Sequence, residues 1–262
     1  MKCLNYIRSD HLRCKKSCRY LIGIGGVFFT LLFAHIDNQY SKKSVLFMAQ
    51  YVMDGIPFFM CMIFGIFAFS DSICEDIKTN YYRLAILHGD IKEYCNGRTA
   101  TIFFSAFLSL IVGFLLFIFF LKLNFPWKAE NDSVYRAMIR SGAFRTILKG
   151  EHYVLYYAAV GLKLGILAGN LALFSALLSL YVKNRLLVYS VPVISFYFLA
   201  NATYQLPVSL WWMDLYKIYI SSYNVWNNDT MSFIWALLIG GILFFSLRVL
   251  IFRRIKGELE HG

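Results

Sequence analysis

Charge is what this chain has least of. Only 16% of its 262 residues are Asp, Glu, Lys or Arg, against about 25% in a soluble globular protein. No stretch outside the long apolar runs is long or apolar enough to build a core of its own, which excludes a soluble domain carried beside the apolar part. Several chemical signatures are missing as well. There is no G-x-x-x-x-G-K-[ST] and no Gly-Lys dipeptide, so the chain holds no P-loop. There is no H-E-x-x-H, no G-x-S-x-G and no pair of glutamates within an apolar run, which argues against a membrane enzyme. Neither a filter-like sequence nor an acidic repeat is visible, so a channel is disfavoured.

What fills the chain instead is hydrophobic, at 59%, with 18% aromatic. This reads as one all-α, polytopic integral membrane domain over 1–262. The net charge of +11 suits the flanks of membrane spans and anionic headgroups of the lipid bilayer better than nucleic acid. Six spans are expected: Tyr20 to His35, Leu46 to Ser70, Thr99 to Leu121, a long run from His152 to Val182, Leu186 to Ala200, and Met231 to Phe252. The first and fifth are short. No small-x-small site follows the first, where Phe33, Ala34, His35 and Ile36 stand, so no cleaved signal is expected.

Orientation follows from the bases. With the amino terminus inside, residues 1–19, 71–98, Lys183 to Arg185 and the tail from Arg248 hold sixteen Lys and Arg, against eight on the outer side: Lys42 and Lys43, five from Lys128 to Lys149, and Lys217. That excess places both termini in the cytosol of a cell bounded by a cytoplasmic membrane. The cysteines (Cys3, Cys14, Cys18, Cys61, Cys74, Cys95) all fall in cytosolic or bilayer segments, which excludes a disulfide framework outside. The tryptophans (Trp127, Trp211, Trp212, Trp226, Trp235) all fall in or beside the outer connections, as an interfacial belt requires.

Residues 1–19 pair a basic composition with Leu4, Ile7, His11, Cys14 and Cys18 at helical spacing, either a basic amphipathic surface helix or a topogenic tail. Two charges stand inside spans. Asp54, next to Gly55 and Pro57, and Lys163 are expected at similar depths, about 13 Å in for Asp54 at 1.5 Å per residue, and a pair between them would relieve the cost of isolated ions. Residues 201–230 mix Leu206, Pro207, Trp211, Trp212 and Ile218 with Asp214 and Lys217, which fits an outer re-entrant or interfacial hairpin. Val134 to Leu148 suggests a further helix on the outer surface.

The stretch 71–98 is the least expected part, a polar island of 28 residues between two apolar runs. Ile73, Ile77, Tyr81, Leu84, Leu87, Ile91 and Tyr94 recur every three or four residues, so a helix continues out of the second span. Gly89 stops it. Asp90, with Glu93 three residues on, starts a second helix that runs into the third span. The product is a helical elbow with an apolar edge and charges that fix its register.

Here the chain resembles the permeases of the type-2 class of ABC exporters. The resemblance rests on Glu75 and Asp76, then Tyr81 to Leu87, then Gly89 to Lys92, then Tyr94 and Arg98, and on the run from Ala176 to Pro192 with its short basic link. It covers nearly the whole chain; Thr79 stands where many members have glycine, and the second outer loop is long and basic. The resemblance implies a transport subunit whose island, through Glu75, Asp76, Tyr81, Leu84, Leu87, Gly89 and Asp90, docks on a cytosolic P-loop ATPase. ATP would be bound there and not here, and a second permease copy or a paralogue would complete the path. An amphipathic peptide, drug or lipid-like molecule would be the cargo. The competing reading is a non-transporting membrane sensor or immunity protein whose elbow recruits a cytosolic partner.

The topology makes a direct prediction. In intact cells a membrane-impermeant maleimide should leave the natural protein unlabelled and should label Lys149→Cys; labelling of the natural cysteines would invert the topology.

Overall fold

The computed structural model describes residues 18–37, 44–79, 81, 90–129, 133–182, 184–220 and 223–261. Every regular element among them is helical, and six segments are long and apolar enough to cross a membrane. The chain is a multi-pass membrane protein. In order the elements are α1 (Cys18–Asp37), α2 (Val45–Asp54), α3 (Ile56–Phe67), α4 (Ser72–Lys78), α5 (Ile91–Asn124), α6 (Ser133–Ser141), α7 (Arg145–Lys149), α8 (Tyr153–Ser179), α9 (Arg185–Tyr204), a 3-10 segment (Val208–Met213), α10 (Leu215–Tyr219) and α11 (Asp229–His261).

The first and fifth spans are longer than their hydropathy suggests, each forming a 20-residue helix, which is about 30 Å at 1.5 Å per residue and enough for the hydrocarbon layer. The second departs from expectation. Leu46 to Ser70 is not one helix: Gly55 is extended and Pro57 stands in the first turn of the next helix, so the chain breaks into α2 and α3. Pro57 lacks the N–H that would continue the ladder of α2. The crossing is made by Ile56–Lys78, 23 residues on its own, so Asp54 stands at the edge of that crossing and not about 13 Å inside it. Ser44 caps α2 through the Phe47 N–H, and the free N–H groups of Val45 and Leu46 donate to the Pro126 and Trp127 carbonyls at 2.9 and 3.3 Å. That tie fixes α2 to the exit of α5.

The bundle is built around α8, the best-buried span, with 89% of its apolar window inside the protein. Gly161, Gly165 and Gly169 recur every fourth residue along it. A β-carbon at Gly165 would stand 2.8 Å from Phe107 and 2.9 Å from Ile111, and one at Gly169 would stand 2.6 Å from Phe103. At Gly161 the neighbour is Phe114, at 3.4 Å. The glycines are therefore notches that admit side chains of α5. Lipid tails are as apolar as the helix faces, so such close packing, and not the hydrophobic effect, holds spans together in a bilayer.

Contacts define two ends. Arg19 at the start of α1 and Arg185 at the start of α9 reach the same carboxylates of the α3–α4 junction, and the Arg254 guanidinium of α11 sits 4.9 Å from the Tyr181 ring just beyond α8. This is the basic end. At the other end Trp127 stacks on Tyr153, and Trp212 and Trp226 both pack edge-on against Trp235, whose indole donates to the Trp212 carbonyl.

The connection between α5 and α8 is two short helices, α6 and α7, where one was expected. At Gly142 a β-carbon would come within 2.5 Å of the Met138 carbonyl, and Phe144 is left-handed at φ 57°. That conformation costs about 1 kcal/mol for a residue with a β-carbon, and burial of the Phe144 ring offsets it. Thr146 and Arg145 bond to Asp229 and the Asn227 carbonyl, joining this connection to the last one. Residues 201–220 contain the 3-10 segment and α10, capped by Asp214 through the Tyr216 and Lys217 N–H groups. Asp214 also pairs with Lys217 at 3.0 Å, both side chains buried.

Gly165→Leu should push α5 from α8 and lower stability by about 1–3 kcal/mol, read as an earlier melting midpoint in detergent. Gly241→Leu, with open space around its β-carbon position, should leave the midpoint unchanged.

Candidate functional site at the basic end

The two ends of the 71–98 island are held by two clusters of charge, and helical geometry decides which residue joins which. Asp71 and Glu75 are four residues apart and share a face of α4. Arg19 reaches both, with Nη1 3.1 Å from Asp71 Oδ1 and Nη2 2.8 Å from Glu75 Oε1. Arg185 reaches the same pair, at 3.7 Å to Asp71 and 3.2 Å to Glu75. Asp71 is buried while Arg185 is mostly exposed. The Arg185 contacts are therefore worth little by themselves, and Arg19 is the closer counter-ion of a carboxylate that lacks water.

Asp76 is one residue on, about 100° further round the helix at 3.6 residues per turn, and it faces the interior. It is 0% exposed and Arg98 only 1%. Arg98 donates from Nε to Asp76 Oδ2 at 2.8 Å and pairs with the same oxygen through Nη2. Tyr94 donates its hydroxyl to that oxygen at 2.7 Å. Tyr94 and Arg98 are themselves four residues apart on α5, so one face of that helix presents both donors. The Arg98 guanidinium also lies 5.4 Å from the Phe69 ring centre and 5.9 Å from that of Tyr94, positions where the ring faces attract a cation.

Outside this knot both helices end cleanly. Thr79 closes α4 by donating its N–H to the Glu75 carbonyl at 3.0 Å and its hydroxyl to the same oxygen at 2.9 Å. A side-chain hydroxyl therefore finishes the helix at Thr79. Asp90 caps α5, accepting from the Lys92 N–H at 3.2 Å. Glu93 Oε2 is buried without a hydrogen-bond partner, so it is not that oxygen that returns the bond of a capping box. Tyr81 is exposed. Leu84, Leu87 and Gly89 lie outside the described residues.

The structure thus brings Asp76 to Tyr94 and Arg98, and Glu75 to Arg19 and Arg185. It does not bring Asp54 to Lys163. Asp54 accepts from Gln50 Nε2 at 2.8 Å and from the Tyr216 hydroxyl at 3.4 Å. Lys163 is buried, with its ammonium 5.6 Å from the centre of the Phe144 ring. Among the described residues no ion pair joins the two. The physical reason is the break at Gly55, which takes Asp54 off the axis of the span, while the left-handed turn at Phe144 lowers an aromatic face onto the lysine.

Sequence reasoning missed Arg19, Asp71 and Arg185 as partners. Arg19 and Arg185 were visible only as bases that orient spans, and Asp71 only as the edge of the island. Four-residue spacing from Asp71 to Glu75 was the available signal. Among the described residues no three His, Cys, Asp or Glu side chains stand together as a metal site. What the arrangement can do is mechanical: it welds the base of the elbow to α1, α5 and α9.

Arg98→Met should strand the Asp76 carboxylate and cost about 3–5 kcal/mol. Asp76→Leu combined with Arg98→Met should recover most of that loss, as judged by melting midpoints in detergent; a double variant no better than the single one would contradict the pairing.

Comparison with known proteins leaves the geometry to speak alone: no family model, no curated protein and no solved structure matches this chain.

Proposed function

We propose that this chain is the permease subunit of an ATP-driven exporter of the type-2 ABC class, lying in the cytoplasmic membrane with both termini and the 71–98 island in the cytosol. The observation that carries the reading is the buried Asp76–Arg98–Tyr94 knot. A connection that merely links two spans has no need of an ion pair sealed from water. A connection that must pass force to the bundle does, because its tip then cannot move without moving α4 and α5 together.

In this reading the elbow between Thr79 and Asp90 presents Tyr81, Leu84 and Leu87 to a cleft of a separate P-loop ATPase. Closure of the ATPase would press the elbow, and the two charge clusters would deliver that displacement to spans one, two, three and five. Cargo is an amphipathic molecule that passes beside these spans. A second permease copy or a paralogue is favoured by the uneven burial of the spans: α8 is enclosed, whereas only 22% of the first span's window and 17% of the sixth's are buried, leaving broad apolar faces for lipid and a partner.

The alternative, a non-transporting sensor or immunity protein that recruits a cytosolic partner, would also use an exposed elbow. Copurification separates the two. A P-loop ATPase encoded in an adjacent reading frame should copurify with this chain, and Tyr81, Leu84 and Leu87 changed together to Asp should abolish the association. Retained association together with unchanged ATP-dependent transport would overturn the coupling role.

A further inference from the structure

Two spans leave a gap between them. α9 and α11 both pack against α8 but hardly touch each other, and a space of about 270 Å³ lies between them, with α8 and α10 supplying its other walls. Of the wall residues, Leu199 of α9 and Leu243 of α11 are exposed, so the space opens sideways toward the hydrocarbon of the bilayer. Its walls are held in place. Pro192 lines the space from within α9 and cannot donate to the Val188 carbonyl four residues before it; the Ser175 hydroxyl of α8 supplies that hydrogen bond instead, at 2.9 Å. At Gly240 α11 comes so close to α8 that a β-carbon would stand 2.4 Å from Ile166.

The walls are nearly uniform in chemistry. Leucine and phenylalanine make up most of them, and no Asp, Glu, Lys or Arg stands among the described lining residues. A charged ligand would find nothing to pair with there. One buried side chain breaks the pattern. Asn170 is 3% exposed and donates from Nδ2 to the Ile166 carbonyl at 3.0 Å, while its Oδ1 is buried and accepts no hydrogen bond among the described residues. The Tyr219 hydroxyl stands close by: it and Asn170 Nδ2 each lie 3.5 Å from the β-carbon position of Gly240. An unsatisfied acceptor in apolar surroundings is destabilising, and a leucine at the same position would fill the wall without that cost. What the asparagine adds is an acceptor for a donor that a ligand brings.

We propose that this cleft binds a small neutral alcohol, its alkyl or aryl body lying among the leucines and phenylalanines and its hydroxyl donating to Asn170 Oδ1. The hydroxyl is what the walls select, since a plain hydrocarbon chain leaves Oδ1 without a donor and an alkylamine carries a charge that nothing there balances. Size agrees, because the volume falls just short of the roughly 300–1,000 Å³ typical of ligand pockets. The inference goes beyond the transport reading and does not rest on it.

The test uses the purified full chain in phosphatidylcholine nanodiscs, without any ATPase, and two photoreactive diazirine probes of equal length, one an octanol and one an octane. Labelled residues are located by mass spectrometry, with unlabelled octanol or octane as competitor at equal concentration in the bilayer. Labelling by the octanol probe should saturate and fall on Leu199, Leu243 and Leu247 of the cleft. Octanol should compete at least about five-fold better than octane, the scale of one neutral hydrogen bond. Asn170→Leu should erase that preference and leave the labelling by the octane probe in place. Should Asn170→Leu fail to fold, Leu199→Trp, which fills the cleft and leaves the asparagine, should abolish saturable labelling. Labelling spread evenly over the cleft and the exposed face of α1, equal competition by octane, a preference kept in Asn170→Leu, or saturable labelling that survives Leu199→Trp would overturn the proposal.

Discussion

The buried ion pair between Asp76 and Arg98 is the constraint on which the basic end depends. Moving two ions out of water carries a penalty of several kcal/mol each, and the protein meets it with a guanidinium that approaches by two nitrogens, a tyrosine hydroxyl on the same oxygen, and two aromatic rings near the cation. Helical spacing places Tyr94 beside Arg98, and Phe69 comes from the turn before α4. On α4 Asp76 faces α5, while Asp71 and Glu75 face Arg19 and Arg185. Four elements meet there, and each supplies something the others cannot replace.

Much of the fold was legible in the sequence. Apolar runs and their basic flanks located six crossings, and the Asp90 cap and the continuous helix from Ile91 into the third span were readable from local chemistry. The tryptophans gather at one end, and Arg19, Arg185 and Arg254 at the other. What was not legible depends on three dimensions. Hydropathy averages across Gly55 and Pro57, so a broken span looks unbroken. Lys163 is placed over a ring from a distant turn, and no spacing announces that. The candidate site was partly legible: Tyr94 and Arg98 entered through a resemblance, whereas their convergence on Asp76 is a matter of packing. The glycine ladder of α8, Gly161, Gly165 and Gly169, was present in the letters as a small-xxx-small pattern, and it was the clearest signal passed over.

Burial is distributed unevenly, and that bears on how the proposed transporter would work. The enclosed α8 is the fixed mast of the bundle, with α1 and α11 around it largely uncovered. The two connections at the tryptophan end are not independent flaps, since Arg145 and Thr146 of α7 are bonded to Asn227 and Asp229 at the start of α11. The tryptophan end is thus tied across spans four and six, while the basic end is tied across spans one, two, three and five. Under the transport reading these are the two blocks whose relative tilt would open one side or the other.

The seam between α5 and α8 has a consequence for how finely such a tilt can be graded. Aromatic and aliphatic side chains of one helix sit in glycine notches that repeat every four residues on the other. Four residues of helix rise about 6 Å, so the next equivalent seating lies a whole notch away, and any smaller slide drives a phenyl ring against the ridge between two glycines. The seam behaves as a detent: it resists creep along its length, and it tolerates either rigid travel of the pair or a full jump of one tooth.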